Sequence, residues 1–410
     1  MRDSSIILTA CLLSTAIPGC GFGPRAMRVS QTSYNEAIQT TTNEQLLLNL
    51  VRLRYRDVPL FVQIPSVSTQ YEIRQTTEFG AALNENVGPD PLNPDTWNLG
   101  ARFEFSERPT VTMVPLQEND FVKRMFMKYD PDTIALLHGS GWAVDRVLTL
   151  TVSRMNGLKN AVTASSPTPD AAPEFAEFAR VTYLLRELQK RGEYSLETIP
   201  REEDFGESFS TGALPPEVVL SLAEKGYKLR HTEAGHILRT TRLAWELRLS
   251  DAGRISEEWK EVCGLLGLDP RRAEYEVMLG TTLPSSQSSD RRQDWIAITP
   301  RSLLGTLFLL SHAVEVPREH LSAGLATLTR DEDGQEIDWS EVTRRLLRVR
   351  CASGRPANAA VAVRFRGYWF FIEDSDRNSK STFMLLNYLF ALQAGNFESQ
   401  GPVLTLPVGR

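Results

Sequence analysis

Ala360-Val361-Ala362-Val363-Arg364-Phe365-Arg366-Gly367-Tyr368-Trp369-Phe370-Phe371-Ile372 decides the fold class. Two runs rich in β-branched and aromatic residues flank Arg366-Gly367, the pattern of two antiparallel strands joined by a tight turn. A third strand near Leu346 to Cys351 would extend them into a meander. A helix from Ser381 to Ala394, stopped by Gly395, follows directly. Strands thus meet strands before a helix comes, without a βαβ rhythm or an internal repeat of fixed period. The expected class is α+β, with mixed helices and antiparallel β meanders in two or three subdomains.

Working outward, Thr299-Pro300 reads as an N-cap followed by a first-turn proline, opening an apolar helix through about Val314. Asp338-Trp339-Ser340-Glu341 has capping-box spacing. The breaker run from Pro284 to Asp290 sets off this C-terminal region, 294–410, behind a loop at 284–293. A middle region, 174–283, holds an amphipathic helix from Glu174 to Arg191 ended by Gly192. Strands within Tyr227 to Leu249 and a helix near Glu257 to Leu266 follow. Pro167, Pro169 and Pro173 mark a linker at 163–173. The N-terminal α+β domain, 34–162, begins with a helix from Tyr34 to Tyr55 and continues with alternating strands at Leu60 to Phe79, Arg102 to Phe105 and Thr110 to Val114. Its loop carries Gly88-Pro89-Asp90-Pro91 and Asn93-Pro94. Helices from Glu118 to Tyr129 and from Trp142 to Met155 close it, the second capped at Asn156-Gly157.

The first 33 residues stand apart. Ile6 to Ile17 is an apolar run of twelve residues, broken by Pro18-Gly19-Cys20. Roughly 20 residues are needed to cross a bilayer as a helix, whereas the core of a signal peptide is this short. Ile17-Pro18-Gly19-Cys20 resembles the lipobox of bacterial lipoproteins, which implies a signal peptide at 1–19, lipidation of Cys20 and a lipidated tether at 20–33. Gly21, not an aspartate, follows the cysteine, which by the same resemblance implies the outer membrane. A cleaved signal without lipid and a buried N-terminal helix are the alternatives. Further residues look like those of an uncharacterised family of bacterial lipoproteins: Asn43 to Tyr55, Ser140-Gly141-Trp142, Met155 to Asn160, Arg366 to Phe371 and Leu404 to Gly409. That family implies an address in the envelope and no activity.

Composition narrows the partners. Lys plus Arg number 45 against 51 Asp plus Glu, a formal charge of -6 without the basic excess that nucleic acid requires. The expected partners are the membrane, through the lipid, and an envelope protein or glycan. With Cys11 removed and Cys20 capped, Cys263 and Cys351 remain. They could form one disulfide, although two separate buried thiols fit the wide spacing better.

Candidate chemistry is sparse, and no cofactor is expected. No GxSxG, Walker loop or dinucleotide fingerprint occurs. His231 and His236 are five apart, about 140° around a helix or on opposite faces of a strand, which opposes shared chelation. His312 and His320 read as surface or cap residues. Asp374-Ser375-Asp376-Arg377-Asn378 imitates the start of a calcium loop, but Ser379 and Leu385 stand where glycine and glutamate are required. Asp331 to Gly334 reads as a polar hairpin turn. The binding candidates are Trp369, Glu373, Asp374 and Asp376, an aromatic beside carboxylates, as a cell-wall or polysaccharide binder or hydrolase would use. The competing reading is a non-catalytic envelope lipoprotein.

Overall fold

A computed structural model describes residues 22–82, 96–117, 119–167, 169, 171–209, 216–232, 235–280, 293–326, 328–330 and 333–394. The chain divides into two units, one made of residues up to Pro59 with Glu118–Gly395, the other having its described residues in Leu60–Gln117. The expected α+β class holds.

The chain opens with α1 (Phe22–Arg54), which starts before the expected Tyr34. Gln31 to Glu44 is exposed except at Tyr34, Ile38 and Asn43. The apolar stripe then begins, and Leu47, Leu50 and Val51 are fully buried.

The smaller unit is a hairpin of β1 (Val62–Ala82) and β2 (Thr96–Pro115). Register runs from Val62↔Pro115 to Ala82↔Thr96, with a shift between Gln63 and Ser66 around Pro65, which has no amide hydrogen to give to the ladder. The three strands expected here are therefore two. The expected loop at Gly88 to Pro94 lies outside the described residues.

Next come α2 (Asn119–Phe126), α3 (Pro131–Gly139), α4 (Val144–Thr151), β3 (Val152–Met155) and β4 (Leu158–Lys159). The helix expected from Trp142 to Met155 is thus a short helix running straight into a strand. Asn156-Gly157, read as a helix cap, is a hairpin turn with φ of 42° and 89°. Two successive positive φ values are what a two-residue turn between twisted strands demands, and Asn-Gly meets that demand at least cost.

The stretch expected to be a linker begins with a single 3-10 turn, Val162–Ser165, whose Ala164 is buried; α5 (Ala176–Arg191) then ends at Gly192 in the left-handed conformation, as read. Then follow β5 (Tyr194–Phe209), α6 (Pro216–Glu224), β6 (Tyr227–Thr232), β7 (Gly235–Leu249), α7 (Asp251–Ile255), α8 (Glu257–Leu266), β8 (Glu274–Leu279) and β9 (Trp295–Pro300). Strands β3 to β9 form one sheet in the order β4-β3-β9-β8-β7-β5, with β6 beside β7; only β8 and β9 run parallel. Pro200 is tolerated because β5 is an edge strand. One face of this sheet, through Leu196, Trp245, Leu247, Val277 and Ile296, meets Ile134, Val147, Leu185 and Trp259 from α3, α4, α5 and α8. The other face carries charges.

The last part comprises α9 (Leu303–Ser311), α10 (Arg318–Ser322), α11 (Ser340–Thr343), β10 (Arg350–Ala352), β11 (Ala359–Phe365), β12 (Tyr368–Glu373) and α12 (Arg377–Ala394). Thr299-Pro300 ends β9 and does not cap α9; Ser302 does, its Oγ accepting from the Gly305 amide. Helix α9 is apolar all round, with Leu303, Leu307, Leu309 and Leu310 fully buried, as a helix surrounded by other elements must be. The three strands are ordered β10-β12-β11. The third strand joins β12 rather than β11, so the aromatic strand is central. Arg366-Gly367 makes the expected turn, with φ of 45° and 90°.

Candidate functional site

Side chains alternate across β12. Phe370 and Ile372 point inward and are fully buried, with Val361 and Val363 of β11 on the same face. Trp369, Phe371 and Glu373 occupy the opposite face and are half-buried. The guanidinium of Arg355 lies 5.4 Å from the centre of the Trp369 ring, an arrangement worth about 0.5–1 kcal/mol at an exposed site. Glu373 accepts from Arg350 Nη1 at 2.5 Å.

The other two carboxylates belong to the turn into α12. Asp374 accepts from Lys380 Nζ at 2.5 Å. It borders a groove of about 860 Å3 between α1 and α12, walled by Thr42, Val361, Phe383 and Tyr388. Asp376 caps α12: Oδ1 accepts from the Ser379 amide at 3.0 Å and Oδ2 from the Ser379 hydroxyl at 2.6 Å. Burial works against its charge, but the two Ser379 bonds, the Asn378 amide and the Arg350 charge together hold its carboxyl below the usual range. Of the four candidates, then, Trp369 and Glu373 share a face, whereas Asp374 and Asp376 serve the helix start. All three carboxylates already hold a donor.

The inward side of the same sheet gathers residues that sequence reading did not connect. Tyr55 Oη lies 2.7 Å from His320 Nδ1, across 265 residues of chain. The His320 ring meets Tyr368 edge-on at 5.2 Å. Tyr368 donates to Glu319 Oε2 at 2.9 Å. Arg366 stands over the Tyr55 ring at 5.2 Å and pairs with Asp57 at 3.1 Å. Burial, with the nearby Cys351, pushes the Tyr55 phenol up to about 12, so it stays protonated at neutral pH. The cluster clamps the end of α1 to α10 and β12. No local motif could have announced it.

Cys351 lies opposite Phe370 in the β10–β12 ladder, and Cys263 lies in α8 beside Tyr275. The two are not joined in a disulfide. Burial and then Glu315 raise the Cys351 thiol, the reverse of what a nucleophile needs.

The histidine readings change. His231 and His236 are directly opposite across the β6–β7 pair, their rings 4.9 Å apart, because the chain reverses between them. Two imidazoles supply half of a zinc site. Among the described residues no group of three or more His, Cys, Asp or Glu could hold a metal ion. His312 caps α9 as read, but it is buried and stacked on Trp339 at 4.3 Å, not at the surface. Burial, with the Arg54 charge, pushes its imidazole down to about 3.

Between the helices and the larger sheet is a cavity of about 70 Å3 lined by apolar side chains, with the His138–Tyr194 pair at its side. Drug-sized ligands occupy roughly 300–1,000 Å3, so this is a gap in the packing too small for one. Comparison with protein-family models, curated proteins and solved structures finds no match.

Proposed function

We propose that this chain is a lipoprotein of the bacterial envelope, anchored in the outer membrane through acyl chains on Cys20, whose folded body binds another envelope component without catalysis. One observation carries the reading: a predominantly apolar run of twelve residues, Ile6 to Ile17, ends at Pro18-Gly19-Cys20. Such a run is too short to span a bilayer and has the length of a signal-peptide core.

Two features of the body agree with it. Downstream of Cys20, α1 stays exposed along most of Gln31 to Glu44, about 20 Å of helix at 1.5 Å per residue, a natural spacer between anchor and body. No helix among the described residues is long and apolar enough to cross a membrane, so lipid is the means of attachment that the reading requires. Acyl chains contribute about 0.8 kcal/mol per buried methylene, and two or more hold a protein firmly. The non-catalytic part rests on Glu373, Asp374 and Asp376, each engaged by Arg350, Lys380 or Ser379.

The test compares wild type with Cys20→Ala after separation of inner and outer membranes and a carbonate wash. Wild type should stay with the outer membrane until detergent is added, and Cys20→Ala should leave it. Equal retention of both would remove Cys20 from the account.

A further inference from the structure

A cleft of about 550 Å3 opens among α4, α5, the end of α11 and the start of α12, within the size range of small-molecule sites. Four arginines line it, Arg146, Arg180, Arg344 and Arg345, against two carboxylates, Asp145 and Glu341. In a chain of net charge -6 this is a local reversal of sign.

The cleft is held in shape. Arg146 on α4 donates through Nη2 to Asn378 Oδ1, and Asn378 Nδ2 donates to the backbone carbonyl of Arg345 at 2.7 Å. One asparagine in the first turn of α12 therefore fixes a cation on α4 and the segment that carries two more. Arg180 is turned by Glu261, which takes its Nε and Nη2 at 2.7 and 2.8 Å. Its guanidinium also lies 5.7 Å from the centre of the Tyr183 ring.

The arginines are not all spent. Arg146 Nε is buried with no hydrogen-bond partner, and Arg344 and Arg345 are exposed without an ion pair to any described residue. Guanidinium groups present fixed forks of donors that match the oxygen pairs of carboxylates and phosphates.

We propose that this cleft binds a small anion bearing two or more carboxylate or phosphate groups, taken by Arg146 at the floor and by Arg344 and Arg345 at the rim. Tyr183 and Phe175 supply apolar walls for its carbon frame. The site is independent of the lipid on Cys20 and stands or falls separately from the anchor.

Calorimetric titration of the full chain with citrate and with pyrophosphate, at matched ionic strength of about 150 mM, tests it. At least one probe should bind. The double variant Arg344→Glu, Arg345→Glu, whose positions are exposed and place no demand on the core, should weaken binding by at least about tenfold. Arg364→Glu, half that charge change at an exposed position of β11, should leave it unaltered. Binding of citrate alone would assign a carboxylate ligand, and binding of pyrophosphate alone a phosphate ligand. Failure of both probes at about 10 mM, or equal binding by the double variant and wild type, would overturn the proposal.

Discussion

Two arginine-rich regions of this protein differ in one respect that separates structure from binding. On the charged face of the larger sheet, the arginines of the central ladder meet carboxylates on the same or nearby strands. Arg201 pairs with Glu246 and Glu276, Arg242 with Glu203 and Glu276, and Arg248 with Glu197, Glu246 and Glu274. In the cleft between α4 and α12, Arg344 and Arg345 pair with no carboxylate among the described residues. Cross-strand pairs of opposite charge are a unit of sheet stability, so the ladder's charges are already used. Exposed charges without such partners add little to the fold and are available to a ligand.

A third arrangement calibrates the other two. Arg301 is buried without a carboxylate partner among the described residues, and it donates to the hydroxyl of Ser165 and the carbonyl of Asn160. Burial lowers its guanidinium to about 10, still charged at neutral pH. Removing it empties a packed site and strips two acceptors, so Arg301→Ala should show the largest effect, about 3 kcal/mol lost in urea unfolding. Glu246→Ala comes next. Glu246 is only 3% exposed, but Arg201 and Arg248 are 42% and 43% exposed and can turn to water, which limits the loss to about 2 kcal/mol. A loss under about 0.5 kcal/mol would show that the ladder is a solvated surface and would dissolve the contrast.

Asp376 links a cap to the cleft, since it starts the helix whose first turn carries Asn378. Asp376→Ala should cost about 1 kcal/mol and weaken anion binding as well, because Asn378 loses its fixed position. Its folded-state carboxyl lies below the usual range. The stabilisation is therefore present above the unfolded value of about 4 and is lost as pH falls through the lower folded value. Unfolding curves of wild type and Asp376→Ala should converge in acid, and a constant gap down to the lowest pH would refute the capping role. The smallest effect belongs to the double variant Arg344→Glu, Arg345→Glu, whose unfolding midpoint should match wild type even as the probes are lost.

The legible parts of the fold are those written locally. Gly192 ends α5 as read, α8 runs from Glu257 to Leu266 as read, and Arg366-Gly367 turns β11 into β12. Each depends on neighbours in the chain. The misreadings arise where two local signals compete. Asn156-Gly157 serves a helix end or a hairpin equally well, and the antiparallel partner that selects the hairpin, β9, lies more than a hundred residues away. Thr299-Pro300 looked like a helix start because nothing nearby showed that β3 and β8 would pair with its strand. The long strand β5 went unread for the same reason: its partner β7 comes after α6 and β6.

The site residues follow the same rule. Trp369 and Glu373 do share a face, because alternation along a strand is a local property. Asp374 and Asp376 follow the strand too closely to be told from helix-capping residues by spacing alone. Cleft residues Arg146 and Asn378 are 232 positions apart and belong to no motif.

The proposal that most needs testing is that Cys20 carries the lipid that would hold this body at a membrane. Intact-mass measurement of the native protein extracted from membranes tests that directly. The account predicts a chain beginning at Cys20 and carrying the added mass of a diacylglyceryl group and a further acyl chain. A chain that retains Met1, or one cut near Cys20 without any added mass, would contradict it.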